Sequence, residues 1–458
     1  MTYCNDATEN TWQWGSLLNS LPTASHYYIA YSGGVDSHVL LHLLATQAQV
    51  EIKQKLIAIH IHHGLQAQAD DWASHCLQTA EKLTIECRVI HVTATAAPGQ
   101  SPEAAARQAR YTALAKCLPE AGCLLTAHHL DDQAETVLLQ LLRGAGPKGL
   151  AAMPITAEFA AGIHCRPLLS VSRAQLIAYA KQHQLKWIED GSNADQKFDR
   201  NFIRQQVMPL LQSRWPQAAT SLARSASNCF QHEILATTLA EIDYQKISDP
   251  LIGSIQISTL LQLSLARQAN VIRHWISQQQ LPLPNSKRLQ TLLRQLASAA
   301  VDKNPCIRWP GAVVRRYRDE IFVAAENAIS DDYNHMELLW DLQQPLTLPK
   351  SLGQLIASPI QDQGLRLPLG AKVYVRFRQG GERFQASGRN GSHPLKKYFQ
   401  EWGVKPWLRD HIPLLFCGSE LISVVGYAIA NGWQAESLET GLQIKHVVHE
   451  LVQDQPAY

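Results

Sequence analysis

The sequence predicts an α/β protein in three parts: an N-terminal domain on a parallel sheet, a mostly helical middle domain and a small α+β C-terminal domain. Three observations carry this. From residue 26 to about 190, short apolar runs alternate with helical periods, the succession of βαβ units. From 216 to 300 helical spacing dominates. At 372 strict alternation returns in Lys372-Val373-Tyr374-Val375-Arg376-Phe377-Arg378, a half-buried strand. The boundaries follow as 1–215, 216–345 and 346–458, in keeping with roughly 100–200 residues per domain.

In the first part the expected strands are His26–Tyr31, Leu56–Ile61, Cys87–Val92 and Cys123–Ala127, with helices near 37–46, 69–83, 102–117 and 130–142. The unbroken apolar run from Leu56 suits a strand buried on both faces. In the second part Ser221–Ile242 and Ser258–Gln279 are the clearest helices, and Leu281-Pro282-Leu283-Pro284-Asn285 is a turn. Val313–Tyr317 and Ile321–Ala324 pair as a hairpin about Arg318-Asp319-Glu320. The stretch 325–365, rich in Pro, Asp and Gln, reads as a connection with irregular strands.

Apolar residues are 46% and charged residues 17%, which excludes a disordered or fibrous chain. Lys plus Arg is 41 against 39 Asp plus Glu, so a uniformly basic nucleic-acid coat is excluded. Two regions depart from that balance. Residues 266–318 hold ten Lys or Arg against Asp302 alone, and 372–410 hold nine against Glu382, Glu401 and Asp410. Tyr398, Phe399, Trp402 and Trp407 interleave the second, as where bases stack, although a solvated charged face is the plainer alternative. Nine cysteines without a CxxC pair disfavour a disulfide framework and a structural zinc site. The first twenty residues carry Asp6 and Glu9 and no apolar run, and no stretch of about eighteen apolar residues occurs. A cytoplasmic protein without membrane contact is expected.

The sharpest motif is Ser32-Gly33-Gly34-Val35-Asp36-Ser37, between an apolar strand and the apolar helix Val39–Leu44. Adjacent glycines permit positive φ and close backbone approach to an anion, the serines add hydroxyls, and the helix N-terminus adds its dipole. This is a phosphate cradle at the carboxyl end of a strand. No Lys follows the glycines, so it is not a Walker A loop, and it is not G-x-G-x-x-G. A carboxylate beside phosphate repels it unless a cation intervenes, so Asp36 implies Mg2+.

After the fourth strand comes His128-His129-Leu130-Asp131-Asp132-Gln133-Ala134-Glu135-Thr136. On a helix Asp131, Asp132 and Glu135 share a face, which is unfavourable without a metal or substrate cation between them. Such crowding is expected to raise the pKa of one carboxylate towards that of a useful base. An acidic first turn satisfying the helix dipole is the alternative. Arg107 and Arg110, at i and i+3, form a phosphate-binding face or a solvated basic one. Glu189-Asp190-Gly191-Ser192-Asn193, then Arg200-Asn201-Phe202-Ile203-Arg204, suit a site loop leading into a helix.

The hexapeptide resembles the signature of the PP-loop, or N-type ATP pyrophosphatase, superfamily, with its adenine nucleotide α-hydrolase-like fold. Within it the ordered set resembles the tRNA(Ile)-lysidine synthetase family. The set adds His60-Ile61-His62-His63-Gly64-Leu65, Glu103-Ala104-Ala105-Ala106-Arg107, Arg143-Gly144-Ala145-Gly146, Arg166-Pro167-Leu168-Leu169 and the segment from Gly381-Glu382-Arg383-Phe384 to Trp407-Leu408-Arg409-Asp410. The family often has Asn where this chain has His62.

The resemblance implies that ATP adenylates a carbonyl oxygen on the first anticodon cytidine of an isoleucine tRNA, and that the ε-amine of L-lysine then displaces AMP. It implies catalytic roles for Asp36, Asp132, Glu135 and Arg110, with Asp36 holding Mg2+. ATP would be bound by Ser32, Gly33, Gly34, Val35, Asp36, Ser37, His60 and Arg107. Lysine and the substrate base would meet His128, Asp131, Asp190 and Asn193. The tRNA would meet Arg200, Arg204, Arg389, Lys396, Lys397, Trp407 and Arg409, and a homodimer is compatible with the resemblance. The alternatives are another PP-loop tRNA-modifying enzyme or a noncatalytic tRNA-binding relative.

Overall fold

The computed structural model describes residues 14–15, 17–64, 68–93, 102–189, 197–250, 252–298, 305–326, 335–349 and 352–447. The chain forms two compact units, Met1–Leu235 and Ala236–Tyr458. Among the described residues no helix is long and apolar enough to cross a membrane.

In the first unit the strands are β1 (Tyr27–Ala30), β2 (Leu56–His62), β3 (Glu86–His91), β4 (Cys123–Leu125), β5 (Thr156–Phe159) and β6 (Gly162–Cys165), in the order β3-β2-β1-β4-β6-β5. The helices between them are α1 (Val35–Gln47), α2 (Ala69–Lys82), α3 (Pro102–Cys117) and α4 (Leu130–Leu142), followed by α5 (Arg173–Gln182). Alternation along β1 sends Tyr28 to one face, with Ile57, Ile59, Leu114 and Leu124. It sends Ile29 to the other, with Leu40, Leu43, Leu44, Leu176 and Tyr179. The sheet is therefore covered on both sides, and a buried leucine such as Leu40 contributes on the order of 1.5–3 kcal/mol.

The expected strands and helices of this unit are present, with no end shifted by more than two residues. The sheet differs in one respect. The parallel strands end at β6, and β5 pairs with it antiparallel as an edge hairpin that the sequence pattern did not announce. Each of its strands has only four residues, and half of β5 is exposed, too short and polar for a periodic signal. At Gly162 a Cβ would fall 2.1 Å from the Gly122 carbonyl oxygen, so only glycine lets β6 approach there. The strand order reverses between β1 and β4, and the crevice outside their carboxyl ends is where open α/β sheets bind ligands.

The long helix α6 (Ala218–Ile247) crosses from the first unit into the second. The second unit carries β7 (Ile255–Gln256), α7 (Leu265–Gln278), α8 (Ser286–Ser298), β8 (Cys306–Trp309), β9 (Ala312–Tyr317) and β10 (Glu320–Ala324). The strands form an antiparallel sheet in the order β7-β10-β9-β8, with the expected hairpin as β9–β10. Trp275, Ile272, Ile276, Leu289, Leu292 and Ile321 pack between helices and sheet. The single helix expected over 258–279 is broken. One turn at Ile257–Leu260 stops, Ser264 takes an extended backbone, and the Gln268 amide donates to the Leu263 carbonyl at 2.8 Å.

Beyond it, β11 (Glu337–Trp340), β12 (Leu346–Thr347), β13 (Gln354–Gln361), β14 (Val373–Arg376), β15 (Arg383–Phe384) and β16 (His393–Pro394) precede α9 (Leu395–Glu401). The chain closes with β17 (Leu414–Cys417), β18 (Glu420–Val424), β19 (Ala428–Ile429) and β20 (Thr440–Val447). β11-β14-β17-β18-β19 and β12-β13-β20 form two antiparallel sheets, so the small α+β part expected at this end is present and is mostly strand, with α9 as its helix.

Candidate active site

The phosphate loop lies at the carboxyl end of β1. Only Gly33 has positive φ, at 84°; Gly34, at −72°, serves as N-cap of α1 and lends it no side chain. Of the two glycines expected to permit positive φ, one uses that freedom. A Cβ on Gly33 would stand 2.4 Å from Ile188 Cδ1 and 3.0 Å from Cys76 Sγ. The Ile188 N–H donates to the Gly33 carbonyl at 3.0 Å, clamping the loop from below. Ser37 Oγ donates to the Gly34 carbonyl at 3.0 Å and lies 3.0 Å from Ser32 Oγ, so both hydroxyls are held at the start of α1. His60 is buried, and its Nδ1 lies 3.0 Å from the Tyr31 carbonyl, so it reaches the loop through backbone.

Asp36, in the first turn of α1, has one carboxylate oxygen, Oδ1, that is buried without a partner. Its Oδ2 faces His129 Nε2 at 3.7 Å. His129 is buried and caps α4: Nδ1 accepts from the Asp132 N–H at 3.3 Å, while the Asp132 carboxylate accepts from the His129 N–H at 3.1 Å. With Nδ1 accepting, the proton sits on Nε2, between the carboxylates of Asp36 and Asp132. Burial alone would lower this imidazole; Asp36, Asp132 and Asp131 outweigh it, and its pKa stands above the ordinary histidine value. His129 is thus the hinge between the two motifs. Its His-x-x-Asp capping spacing was the signal for it.

Each polar residue of α4 has a separate task. Asp131 accepts from the Arg173 N–H at 2.8 Å, at the start of α5. Gln133 clamps both the N–H and the carbonyl of Met153. Asp132 and Glu135 are buried, and two arginines meet them. Arg200 donates to Glu135 at 2.9 Å and Asp132 at 3.0 Å. Arg204 donates to Glu135 at 2.6 and 3.0 Å and to Asp132 at 2.8 Å. These arginines come from Asp199–Phe202 and the π turn Ile203–Val207, an irregularity that recurs at functional sites. Ile203, buried against Ala134 and Met208, anchors the turn on α4.

The cation required by the acidic face is therefore supplied by the chain itself. The expected rise in a carboxylate pKa is reversed at Asp132. Burial pushes it up, but His129, Arg200 and Arg204 prevail and hold it below the usual carboxylate value. Arg200 and Arg204, expected as tRNA contacts, are committed to this cluster.

The remaining expected residues divide. His128 stands beside the cluster, and Arg107, exposed on α3, lies over the Tyr111 ring at 5.0 Å. Arg110 is exposed on the same helix. Asp190 and Asn193 lie outside the described residues. In the second unit, Arg409 is buried with its Nε donating to the Val404 carbonyl at 2.9 Å, and Tyr398 and Phe399 are core residues. Trp407 packs on Phe322, with ring centroids 5.6 Å apart, and under Arg315. Tyr398, Phe399 and Arg409 therefore build the fold, which corrects their reading as surface contacts, whereas Trp407 is half-buried. Arg389 is exposed but paired with Glu401, whereas Lys396 and Lys397 are exposed on α9.

Family models match in three places: a PP-loop domain over residues 7–211, a TilS substrate binding domain over 255–322 and a TilS substrate C-terminal domain over 373–446. A protein of Coxiella burnetii named tRNA(Ile)-lysidine synthase is 42% identical over 430 residues, 94% of this chain and 95% of that one. One of the same name from Photobacterium profundum is 38% identical, over 93% of this chain and 97% of its own. Among solved structures, a TilS C-terminal domain is 20% identical, covering 25% of this chain and 100% of that one, with a TM-score of 0.21.

Proposed function

The chain belongs to the tRNA(Ile)-lysidine synthase family, a PP-loop family of ATP-using ligases, and from that membership we propose how its residues divide the formation of lysidine on tRNA(Ile). The reacting base is cytidine at the first anticodon position, and the nucleophile is the ε-amine of L-lysine. The cytosine carbonyl oxygen attacks the α-phosphorus of ATP, and pyrophosphate leaves. The amine then adds at C2, the C2–O bond breaks, AMP leaves, and the amine gives up a proton.

One observation carries the reading: a buried, unpartnered carboxylate oxygen on Asp36, at a helix N-terminus beside a glycine loop. A single carboxylate with a free oxygen suits Mg2+, which takes one or two carboxylates together with phosphate oxygens and water. Asp36 would hold the ion, which would supply charge neutralisation at the phosphates. Ser32, Ser37 and the N–H groups of the loop and of α1 hold the phosphate oxygens. Arg107 and Arg110, exposed on α3, would add positive charge.

The ε-ammonium, with a reference pKa near 10.4, needs both a counter-charge and a route for its proton. The Asp132–Glu135 pair suits the first task. Their oxygens already accept six hydrogen bonds, so lysine must share them with, or displace, a guanidinium. We propose a division into 1–215, 216–345 and 346–458, with the last two parts serving the tRNA; the PP-loop match over 7–211 and the TilS matches over 255–322 and 373–446 support it, although the compact units of the structure part within α6, at 235. The test is labelled-lysine incorporation into isoleucine tRNA transcripts with cytidine or uridine first in the anticodon. Incorporation with cytidine only is expected, with one AMP per lysine; equal incorporation with uridine would overturn the reading.

A further inference from the structure

Four side chains outside the phosphate loop and the acidic pair line up across the carboxyl ends of β4 and β6, which pair in parallel with Leu125 opposite Cys165. Arg166 Nη2 lies 3.0 Å from His164 Nδ1. His164 Nε2 lies 2.8 Å from Thr126 Oγ1, and Thr126 Oγ1 lies 2.7 Å from His128 Nδ1. His164 and Thr126 are buried, and Arg166 is anchored by donating from Nη1 to the Pro154 carbonyl at 2.8 Å.

The direction of this chain of hydrogen bonds follows from chemistry. A guanidinium only donates, so His164 Nδ1 must accept, and the His164 proton is on Nε2. Thr126 Oγ1 accepts that proton's hydrogen bond, and because its own buried O–H has no other acceptor among the described residues, it donates to His128 Nδ1. The His128 proton is then on Nε2, and among the described residues no group accepts from it. His128 lies beside Asp132 and Arg200, whose charges both act on its ring.

Resting on the assignment of this crevice to lysine transfer, we propose that Arg166, His164 and Thr126 are positioning residues. They fix His128 as the Nε2–H tautomer, so that it donates a hydrogen bond to N3 of the reacting cytosine. Addition of the amine at C2 drives electron density onto N3, and a donor already oriented there stabilises it without transferring a proton. His128 thus acts as a neutral donor throughout. Its surroundings keep it neutral: burial pushes the imidazole down to about 3, Asp132 opposes, and Arg166, Arg200 and Arg107 add to the lowering.

The test combines a tautomer measurement with kinetics. In 15N-histidine NMR of the full-length enzyme at pH 7, with His128 assigned by the signal lost in His128→Asn, the wild type should show a protonated Nε2 and a bare Nδ1. A protonated Nδ1, or an imidazolium, would overturn the relay whether or not the enzyme makes lysidine. Thr126→Val should mix the tautomers and lower kcat for lysine transfer about 10–100-fold, the usual range for outer-shell partners, with KM for ATP unchanged. Thr126→Ser should restore both readouts. Wild-type kcat in Thr126→Val would remove the donor role from His128. Should Thr126→Val fail to fold, Arg166→Met, which removes the group that sets the direction, takes its place with the same expectations. A wild-type enzyme with the expected tautomer but no cytidine-dependent lysine incorporation would sink the functional assignment and leave the relay standing.

Discussion

At Asp36 two carboxylate oxygens have opposite situations: Oδ1 is buried and unpartnered, and Oδ2 faces His129 Nε2. Asp36→Asn keeps the shape and removes the charge. Pyrophosphate release should fall by on the order of 10²-fold or more, as when a preorganised charge site is emptied, while tRNA binding survives. Normal AMP formation by the variant would rule out Asp36 as a metal-holding group. Asp132 and His164 make pH-dependent contributions to stability. The Asp132 pKa is lowered on folding, so its contribution is complete above the unfolded value near 3.9 and is lost as pH falls through the lower folded one. His164 titrates at about 3 when folded and near 6.5 when unfolded. The unfolded chain therefore takes up the proton first, and stability should fall as pH drops from about 6.5 to 3. Urea midpoints across pH 2–8 for His164→Gln should show a shallower second slope, with the remainder left to the other buried imidazoles, His128 and His38, and an unchanged first slope; an unchanged second slope would contradict the buried, neutral His164.

Helices and loops were legible where their residues act locally. The strand–loop–helix around Ser32–Ser37 was readable because glycine, serine and an apolar helix leave few alternatives. The acidic face of α4 was readable as a face, since spacing fixes it. What neutralises it was not, because Arg200 and Arg204 lie 65 or more positions away from Glu135, and only folding brings them there. His164 was invisible for the same reason: its partners Thr126 and Arg166 converge through strand pairing. Two element-scale outcomes follow. Gly33→Ala combines a positive φ with a Cβ that Ile188 already excludes, so it should weaken ATP binding and stability together. Adding Ile188→Ala should recover part of the stability in thermal melts, and no recovery would mean that the clash is not the cause. Glu135→Gln leaves a partly buried Arg204 short of a charged partner. Loss of one member of a buried pair costs about 3–5 kcal/mol. If Glu135 serves the amine alone, the variant should still release pyrophosphate and fail to incorporate lysine.

For the whole molecule, the balance of charge is uninformative until each cation is assigned. The net charge of +2 conceals a segment, 372–410, with nine Lys or Arg and three acids. Folding then consumes much of that excess. Arg376 pairs with Glu337, Arg378 with Asp410 and Arg389 with Glu401, while Arg409 is buried and Arg383 donates to the Ser392 carbonyl. Sequence counts overstate a phosphate-binding surface for this reason: a guanidinium already paired releases fewer counterions when it meets a phosphate. Lys396 and Lys397, exposed on α9 and in no ion pair among the described residues, keep their full charge for a polyanion. Lys396→Ala with Lys397→Ala should therefore lower the slope of log K for tRNA against log salt by up to about 0.9 per lost contact. Arg389→Ala should lower it by less, because Glu401 is freed at the same time and repels the phosphates. ATP binding without tRNA should be unaffected by all three, since the phosphate loop belongs to the first unit. A titration in which Arg389→Ala changes the slope as much as either lysine would show that the Glu401 pair opens on binding, and an unchanged slope in the double lysine variant would remove α9 from the tRNA surface.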